Sequence, residues 1–393
     1  MPLKTVYTAE IKRLEILDVE GRLDEELAAD TRDVLTDEKV AELYEEMLVA
    51  RELDDAAYRL QRSGRMGTFP QNKGQEAAAL GAAVALKKGH DHITPAYREN
   101  IALFHHGVPM HQVLLHWMGD ERGNAFDPSL CVSPICIEIG AQVLHGAGVG
   151  WGLKFKNKKD DGGRVCMTFC GDGATSEGDF HEGLNFASVM KAPVVFIVQN
   201  NGWAISVPTE KQSASETFAQ KALAYGMPTI QADGNDLFAS YKACRDMVAH
   251  ARAGKGAAFV ELTTYRLADH TTADDARRYR TADELEAAHK KEPLARTRLF
   301  LEHAGLWDEE KEAAARQRAK KIVREVVEAA DKIAKPQVTD IFDHTFAELP
   351  PEIIRQRDTR RTSSLGQHPE QPTLQPKPAQ ASKPAAPRQL TPA

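Results

Sequence analysis

The chain has 393 residues, 42% hydrophobic and 27% charged, which is an ordinary balance for a soluble globular protein with a substantial core. Fifty Lys and Arg against 57 Asp and Glu leave a formal charge of −7, and the absence of a long basic stripe argues against a general nucleic-acid binder. No stretch approaches the ~20 consecutive apolar residues that span a bilayer, and the N-terminal residues lack the apolar core of a signal peptide. A cytoplasmic protein with no nucleic-acid or membrane partner is expected.

Residues 1–35 read as a short charged lead-in, with one strand between Glu10 and Val19. From Thr36 the pattern turns helical, with Val40, Leu43, Tyr44, Met47 and Leu48 at three- and four-residue steps behind Asp37 and Glu38. An alanine-rich helix is expected over Gly74 to Leu86. Two short apolar runs, Arg164 to Cys170 and Val194 to Val198, read as buried parallel strands, with a helix from Phe180 to Met190 between them. Ala258 to Thr264 is a further strand. From Thr281 to Ala334 the Ala, Glu, Lys and Arg spacing predicts surface helices, interrupted at Pro293 and Gly305. The fold class is therefore α/β: a mainly parallel sheet with helices on both faces, in one domain over residues 36–354. Residues 355–393, rich in Pro, Gln, Thr, Ser and Lys, read as a disordered tail. Cys166 and Cys170 share a strand face as small core residues, and no cysteine has a partner at zinc-site spacing.

Polar clusters close the two central strands: Gly171-Asp172-Gly173 after the first, and Asn200-Asn201 after the second, 26 residues later. A right-handed crossover puts both at one edge of the sheet, where open α/β sheets bind ligands. Asp172 offers an anionic oxygen and Asn201 a neutral one, and the flanking glycines let backbone approach a phosphate. Magnesium favours such an oxygen shell shared with a substrate's phosphates. A lone Gly-Asp-Gly would read as a turn capping a helix; the paired asparagines favour a magnesium-diphosphate site.

The segment GDGATSEGDFHEGLNFASVMKAPVVFIVQNNGWAIS resembles the thiamine diphosphate motif of 2-oxo acid dehydrogenases, in particular their alpha subunits. The resemblance runs from about Leu35 to about Leu349 and includes Gly74-Gln75-Glu76, Tyr97-Arg98, Gly140-Ala141-Gln142 and the loop ADHTTADDARRYR at 268–280. It implies a thiamine diphosphate-binding fold, with Asp172, the Asn201 side chain and the Trp203 carbonyl as ligands of Mg2+. It also implies cofactor contacts at Tyr97, Arg98, Gly173, Ala174, Ile137 and Ile139, with Ile139 propping the cofactor's bent shape. Relatives often carry Tyr where Trp203 stands, a change the backbone ligand should tolerate. His270 matches the family's active-site histidine, which also meets the cofactor. Its ordinary titration range suits proton management near neutral pH. Asp274, Asp275, Arg277, Tyr279 and Arg280 are read as ordering the surrounding loop.

The chain has one Gly-Asp-Gly…Asn-Asn unit, and the carboxylate that protonates the aminopyrimidine ring in such enzymes belongs to a second, similar domain. The resemblance therefore implies a beta subunit, a two-alpha, two-beta tetramer, and a lipoyl-bearing dihydrolipoyl acyltransferase as acceptor. The small-molecule substrate is expected to be pyruvate. A branched-chain 2-oxo acid or acetoin, and a non-catalytic scaffold subunit, are the alternatives. Thr68, Phe69 and Gln71 are expected to line or border the substrate pocket. A nicotinamide enzyme is disfavoured, because no G-x-G-x-x-G follows a first strand.

Overall fold

The computed structural model describes residues 3–156 and 162–363. Its centre is a six-stranded, wholly parallel sheet in the order β1-β7-β8-β4-β3-β2. The strands are β1 (Arg13–Leu14), β2 (His92–Thr94), β3 (Cys166–Gly171), β4 (Val194–Asn200), β7 (Thr229–Asp233) and β8 (Ala258–Thr263). A two-stranded antiparallel ribbon, β5 (Trp203–Ala204) with β6 (Val207–Pro208), stands apart from it. The strand expected over Glu10 to Val19 shrinks to the two residues of β1, because only Arg13 and Leu14 pair with β7.

The period of two along each strand divides the interior into two layers. Met167 and Phe169 of β3, Val195 and Ile197 of β4, and Val260 and Leu262 of β8 join one apolar cluster. That layer is completed by helices Asp37–Arg62, Glu76–Val84 and Leu237–Arg252. Cys166, Cys170, Val194, Phe196, Val198 and Phe259 face the other way, against helices Ala141–Lys156 and Gly178–Val189. Both central strands are thus buried on both sides, which is why they read as unbroken apolar runs. All five cysteines are free, and Cys166 and Cys170 are core residues, as expected.

Local chemistry sets the element ends. Thr36 caps the Asp37–Arg62 helix by accepting from the Lys39 N–H, Asp37 and Glu38 fill its first turn, and Arg59 and Arg62 its last. Helix Ala141–Lys156 comes close to β3 only because residue 146 is glycine: a Cβ there would lie 1.8 Å from the Thr168 hydroxyl. The three expected surface helices form at Ala282–His289, Pro293–His303 and Glu309–Asp331. No helix among the described residues is long and apolar enough to cross a membrane.

The chain divides into two compact units, Met1–Ile333 and Ala334–Ala393. The second contains the helices Asp340–Asp343 and Pro351–Ser363, tied by an Arg357–Asp343 ion pair of 3.1 Å. The reading of disorder from residue 355 is therefore corrected for residues 355–363. A helix that starts on proline, carries Ile353 and Ile354 in its first turn and is otherwise polar forms on propensity and i,i+3 pairing (Glu352 with Arg355), with little apolar burial. Residues 364–393 of that expected tail lie outside the described residues.

Candidate active site

The carboxyl ends of β3 and β4 lie side by side, with Cys170 opposite Val198 and Gly171 opposite Gln199. The register delivers Asp172 and Asn201 to one point. Asp172 begins a 3-10 turn (Asp172–Ser176) whose shape is set by hydrogen bonds to its own carbonyl, from the Thr175 hydroxyl at 2.8 Å and the Gln212 amide at 2.6 Å. Lys221 in turn holds Thr175, at 2.7 Å from its carbonyl and 2.9 Å from its hydroxyl.

Next to them is a cavity of about 230 Å³. Its lining includes Tyr97, Arg98, Ile139, Asp172, Gly173, Ala174, Asn201, Trp203 and His270. These sequence-predicted site residues are therefore brought together, although up to 173 positions separate them in the chain. Ile137 is not among the lining residues and is half exposed. Ile139 lies in the cavity wall outside any strand, 45% exposed, so it is no ordinary core isoleucine. Thr68, Phe69 and Gln71 are also absent from the lining. Phe69 is fully buried against Trp117, with ring centroids 5.8 Å apart, and Gln71 reaches the site only through its carbonyl.

Asp172 is 1% exposed, and among the described residues its Oδ2 has no hydrogen-bond partner and its Oδ1 accepts only the long 3.4 Å bond from the Asn201 N–H. Burial pushes this carboxyl up to about 6, opposed by that N–H and by the charges of Arg266 and Arg98. A buried carboxylate oxygen left bare is costly unless a cation or donor meets it. Asn201 Oδ1 accepts from the Trp203 N–H at 3.2 Å, and the Asn201 amide donates to Gln75 at 3.3 Å. One carboxylate, one side-chain amide and the Trp203 carbonyl form an all-oxygen donor set of the kind a hard divalent cation takes. Among the described residues no three His, Cys, Asp or Glu side chains cluster as a metal site.

Two guanidiniums border the same cavity. Arg98, 5% exposed, donates to the Gln71 carbonyl at 2.6 Å and to the His270 carbonyl at 2.9 Å. Arg266, fully buried, donates to the carbonyls of Ile205 at 2.7 Å and Trp203 at 3.3 Å, and to the Tyr279 hydroxyl at 3.0 Å. Neither forms an ion pair with a carboxylate among the described residues. Burial, with the neighbouring Arg98 charge, pulls Arg266 down to about 10. Two buried cations with no carboxylate partner among the described residues are a setting that favours an anion.

Arg266 escaped the sequence reading. A single arginine just past a strand looks like a surface cation; only its place at the carboxyl edge of the sheet, four residues before His270, was a usable sign. His270 Nδ1 sits 3.3 Å from Arg98 Nη2 and 3.4 Å from Arg266 Nη1. Both neighbours can only donate, so Nδ1 accepts and the proton is on Nε2. Burial first, then the charges of Arg98 and Arg266, hold the imidazole down at about 3. The expectation that His270 changes charge near neutral pH is thus corrected: buried beside these two guanidiniums, the ring is neutral. Its loop is ordered by Asp274, which accepts from the His270 N–H at 3.0 Å and from the Tyr279 hydroxyl, and by Arg280 on the Arg266 carbonyl.

Comparison with known proteins agrees with this geometry. Residues 44–339 match the family described as dehydrogenase E1 component. The pyruvate dehydrogenase E1 component subunit alpha of Staphylococcus aureus (strain MW2) is 41% identical over 350 residues, covering 88% of this chain and 92% of that protein. The Staphylococcus epidermidis protein of the same name is likewise 41% identical, with the same coverage. The chain belongs to the dehydrogenase E1 component family, the thiamine diphosphate-dependent decarboxylating components of 2-oxo acid dehydrogenases.

Proposed function

We propose that this chain is the alpha subunit of a pyruvate dehydrogenase. With a beta subunit, in a two-alpha, two-beta tetramer, it decarboxylates pyruvate and acetylates the lipoyl group of a dihydrolipoyl acyltransferase in the cytoplasm. The observation that carries the reading is the buried Asp172 oxygen, bare among the described residues, beside two guanidiniums that have no carboxylate partner there. The names of the staphylococcal relatives support pyruvate as the substrate.

The donor set fits the cofactor pair. Asp172 Oδ2, Asn201 Oδ1 and the Trp203 carbonyl would hold Mg2+, while Tyr97, Arg98 and the Gly173-Ala174 backbone would take the diphosphate. When bound, thiamine diphosphate supplies a nucleophilic carbon and a sink for the electrons released with carbon dioxide. The chain's own residues bind, orient and protect. His270, held as the Nε2–H tautomer, offers a hydrogen-bond donor to negative charge developing in the cavity. Arg98 and Arg266, whose charges lower His270, would hold it down less once an anion offsets those charges. Ile137, Ile139, Ile205 and Val207 are each more than 40% exposed, and Ile139 and Ile205 line the cavity, an apolar surface suited to a covering subunit.

Dye-coupled oxidation of a 2-oxo acid panel and of acetoin by the chain co-purified with its beta partner tests this, with and without thiamine diphosphate and Mg2+. Cofactor-dependent turnover that prefers pyruvate is expected, and the chain alone should be inactive. Preference for 3-methyl-2-oxobutanoate or acetoin would move the substrate to those relatives' chemistry. No cofactor-dependent turnover on any substrate would overturn the catalytic reading and favour a scaffold subunit.

A further inference from the structure

The loop Phe69–Gly74 joins parts of the molecule that no strand or helix connects. Phe69 donates its N–H to the Thr272 hydroxyl at 3.0 Å and accepts the Thr272 N–H at 2.9 Å. The Leu267 N–H donates to the Lys73 carbonyl at 3.1 Å, so both ends of the His270 loop hang on this segment. Gly74 is the pivot that lets the chain turn away: its φ is +89°, and a Cβ there would lie 2.2 Å from the Tyr265 carbonyl.

Beneath the loop lies Asp54, in the interior of helix Asp37–Arg62 and 3% exposed. Its Oδ2 accepts the Asn72 N–H at 2.6 Å, and its carbonyl accepts the Gln71 side-chain amide at 3.1 Å. The Asn72 N–H and the Gln71 carbonyl belong to one planar peptide unit and point in opposite directions. Asp54 therefore holds one end of the peptide whose other end receives Arg98 Nη1 at 2.6 Å. Hydrogen bonds in such a chain polarise one another, and a rotation of this peptide would withdraw the acceptor from Arg98.

We propose that Asp54 is a positioning residue of the active site: through the Gln71–Asn72 peptide it aims the Arg98 guanidinium at the bound diphosphate. The proposal rests on the thiamine diphosphate reading above. The surroundings of Asp54 separate this role from that of a surface ion pair. Glu76 is fully buried beside it and bonded to Arg51 Nε at 2.5 Å, Arg51 also meets Glu292 at 3.0 Å, and Lys73 is bonded to Asp55. The local cations are thus already matched by other carboxylates. Burial and the Glu76 charge push the Asp54 carboxyl up to about 8, so it carries a proton at neutral pH. A protonated carboxyl accepts through its carbonyl oxygen, a job that an asparagine of the same shape can do.

The test is calorimetric titration of thiamine diphosphate, with Mg2+, into the full-length chain co-purified with its beta partner. Asp54→Ala is expected to weaken binding about tenfold, and Asp54→Asn to stay within about threefold of wild type. In an Arg98→Ala background, Asp54→Ala should cost less than about twofold more, because the side chain being aimed is gone. Should Asp54→Ala fail to fold, Asp54→Leu removes the acceptor while filling the space. Binding unchanged in Asp54→Ala or Leu, or an equal loss with and without Arg98, overturns the positioning role alone. A wild-type complex that binds no thiamine diphosphate overturns the cofactor reading, and this role with it.

Discussion

Two carboxylates at the carboxyl edge of the sheet, Asp236 after β7 and Asp172 after β3, are buried to the same degree, and burial pushes each up to about 6. Their partners differ completely. Asp236 accepts four backbone N–H groups: Ile16 and Leu17, both at 2.7 Å, Phe238 at 2.9 Å and Ala239 at 3.0 Å. It caps helix Leu237–Arg252 and pins the N-terminal lead-in. Asp172 has one long bond and one bare oxygen. Burial and a raised pKa therefore do not distinguish a structural carboxylate from a ligand-binding one; unmet hydrogen-bonding capacity does.

Replacing each residue by alanine separates the two roles. Asp172→Ala should weaken Mg2+-dependent thiamine diphosphate binding by ~100-fold or more, with a melting temperature equal to or above wild type. Calorimetry with and without Mg2+ checks the first part, and retained affinity would refute the ligand assignment. Asp236→Ala should do the reverse, losing about 3 kcal/mol of stability as four N–H groups lose their acceptor. Denaturant titration followed by circular dichroism measures that loss, and the protein remaining folded should bind cofactor with wild-type affinity.

The pH response sharpens the contrast. Because Asp172 is raised from 3.8 to about 6, its contribution to the protein's stability is complete below 3.8 and lost as pH rises to 6. The metal needs the ionised form, so Mg2+ affinity should fall about tenfold for each pH unit below 6. An affinity that stays flat from pH 7 to pH 5 would exclude Asp172 as a ligand. For His270 the sign is opposite. Its folded value lies below the ordinary 6.5, so its stabilising contribution is present above 6.5 and lost as pH falls toward 3. Its imidazole proton resonance should titrate at higher pH with cofactor bound than without. The smallest effect is expected at Trp203→Tyr: the 2.9 Å bond from the indole to Glu284 is lost, but the backbone carbonyl remains. Cofactor affinity there should stay within about twofold of wild type.

The sheet and most of the site were legible in the sequence because they follow from local pattern. The apolar runs of β3 and β4, and the polar clusters directly after them, lie within one crossover from Cys166 to Asn201 whose handedness is nearly invariant. Tyr97-Arg98 and His270 were readable only through resemblance, since nothing in their immediate neighbours marks them. Asp54 was not readable at all, and Arg266 only by its place at the sheet edge just before His270. Each is a charged residue in a segment that tolerates surface charge, and each acquires meaning from partners far away in the chain, 63 positions for Arg266 to Trp203 and 18 for Asp54 to Asn72. Hydrophobic periodicity says which face of a helix is inward, but not that an aspartate on that face has a peptide to hold. The helix at Pro351–Ser363 was missed for a related reason: past Ile354 it has no apolar residue, and such composition reads as disorder even where propensity and a starting proline suffice for a helix.

The two bonds between Phe69 and Thr272 close a loop of 203 residues. During synthesis all six strands of the sheet are made before Thr272, so the second partner of this buried contact arrives late in the chain. A substitution at the Phe69 contact can leave secondary structure and the strand core intact while slowing the appearance of cofactor-binding chains.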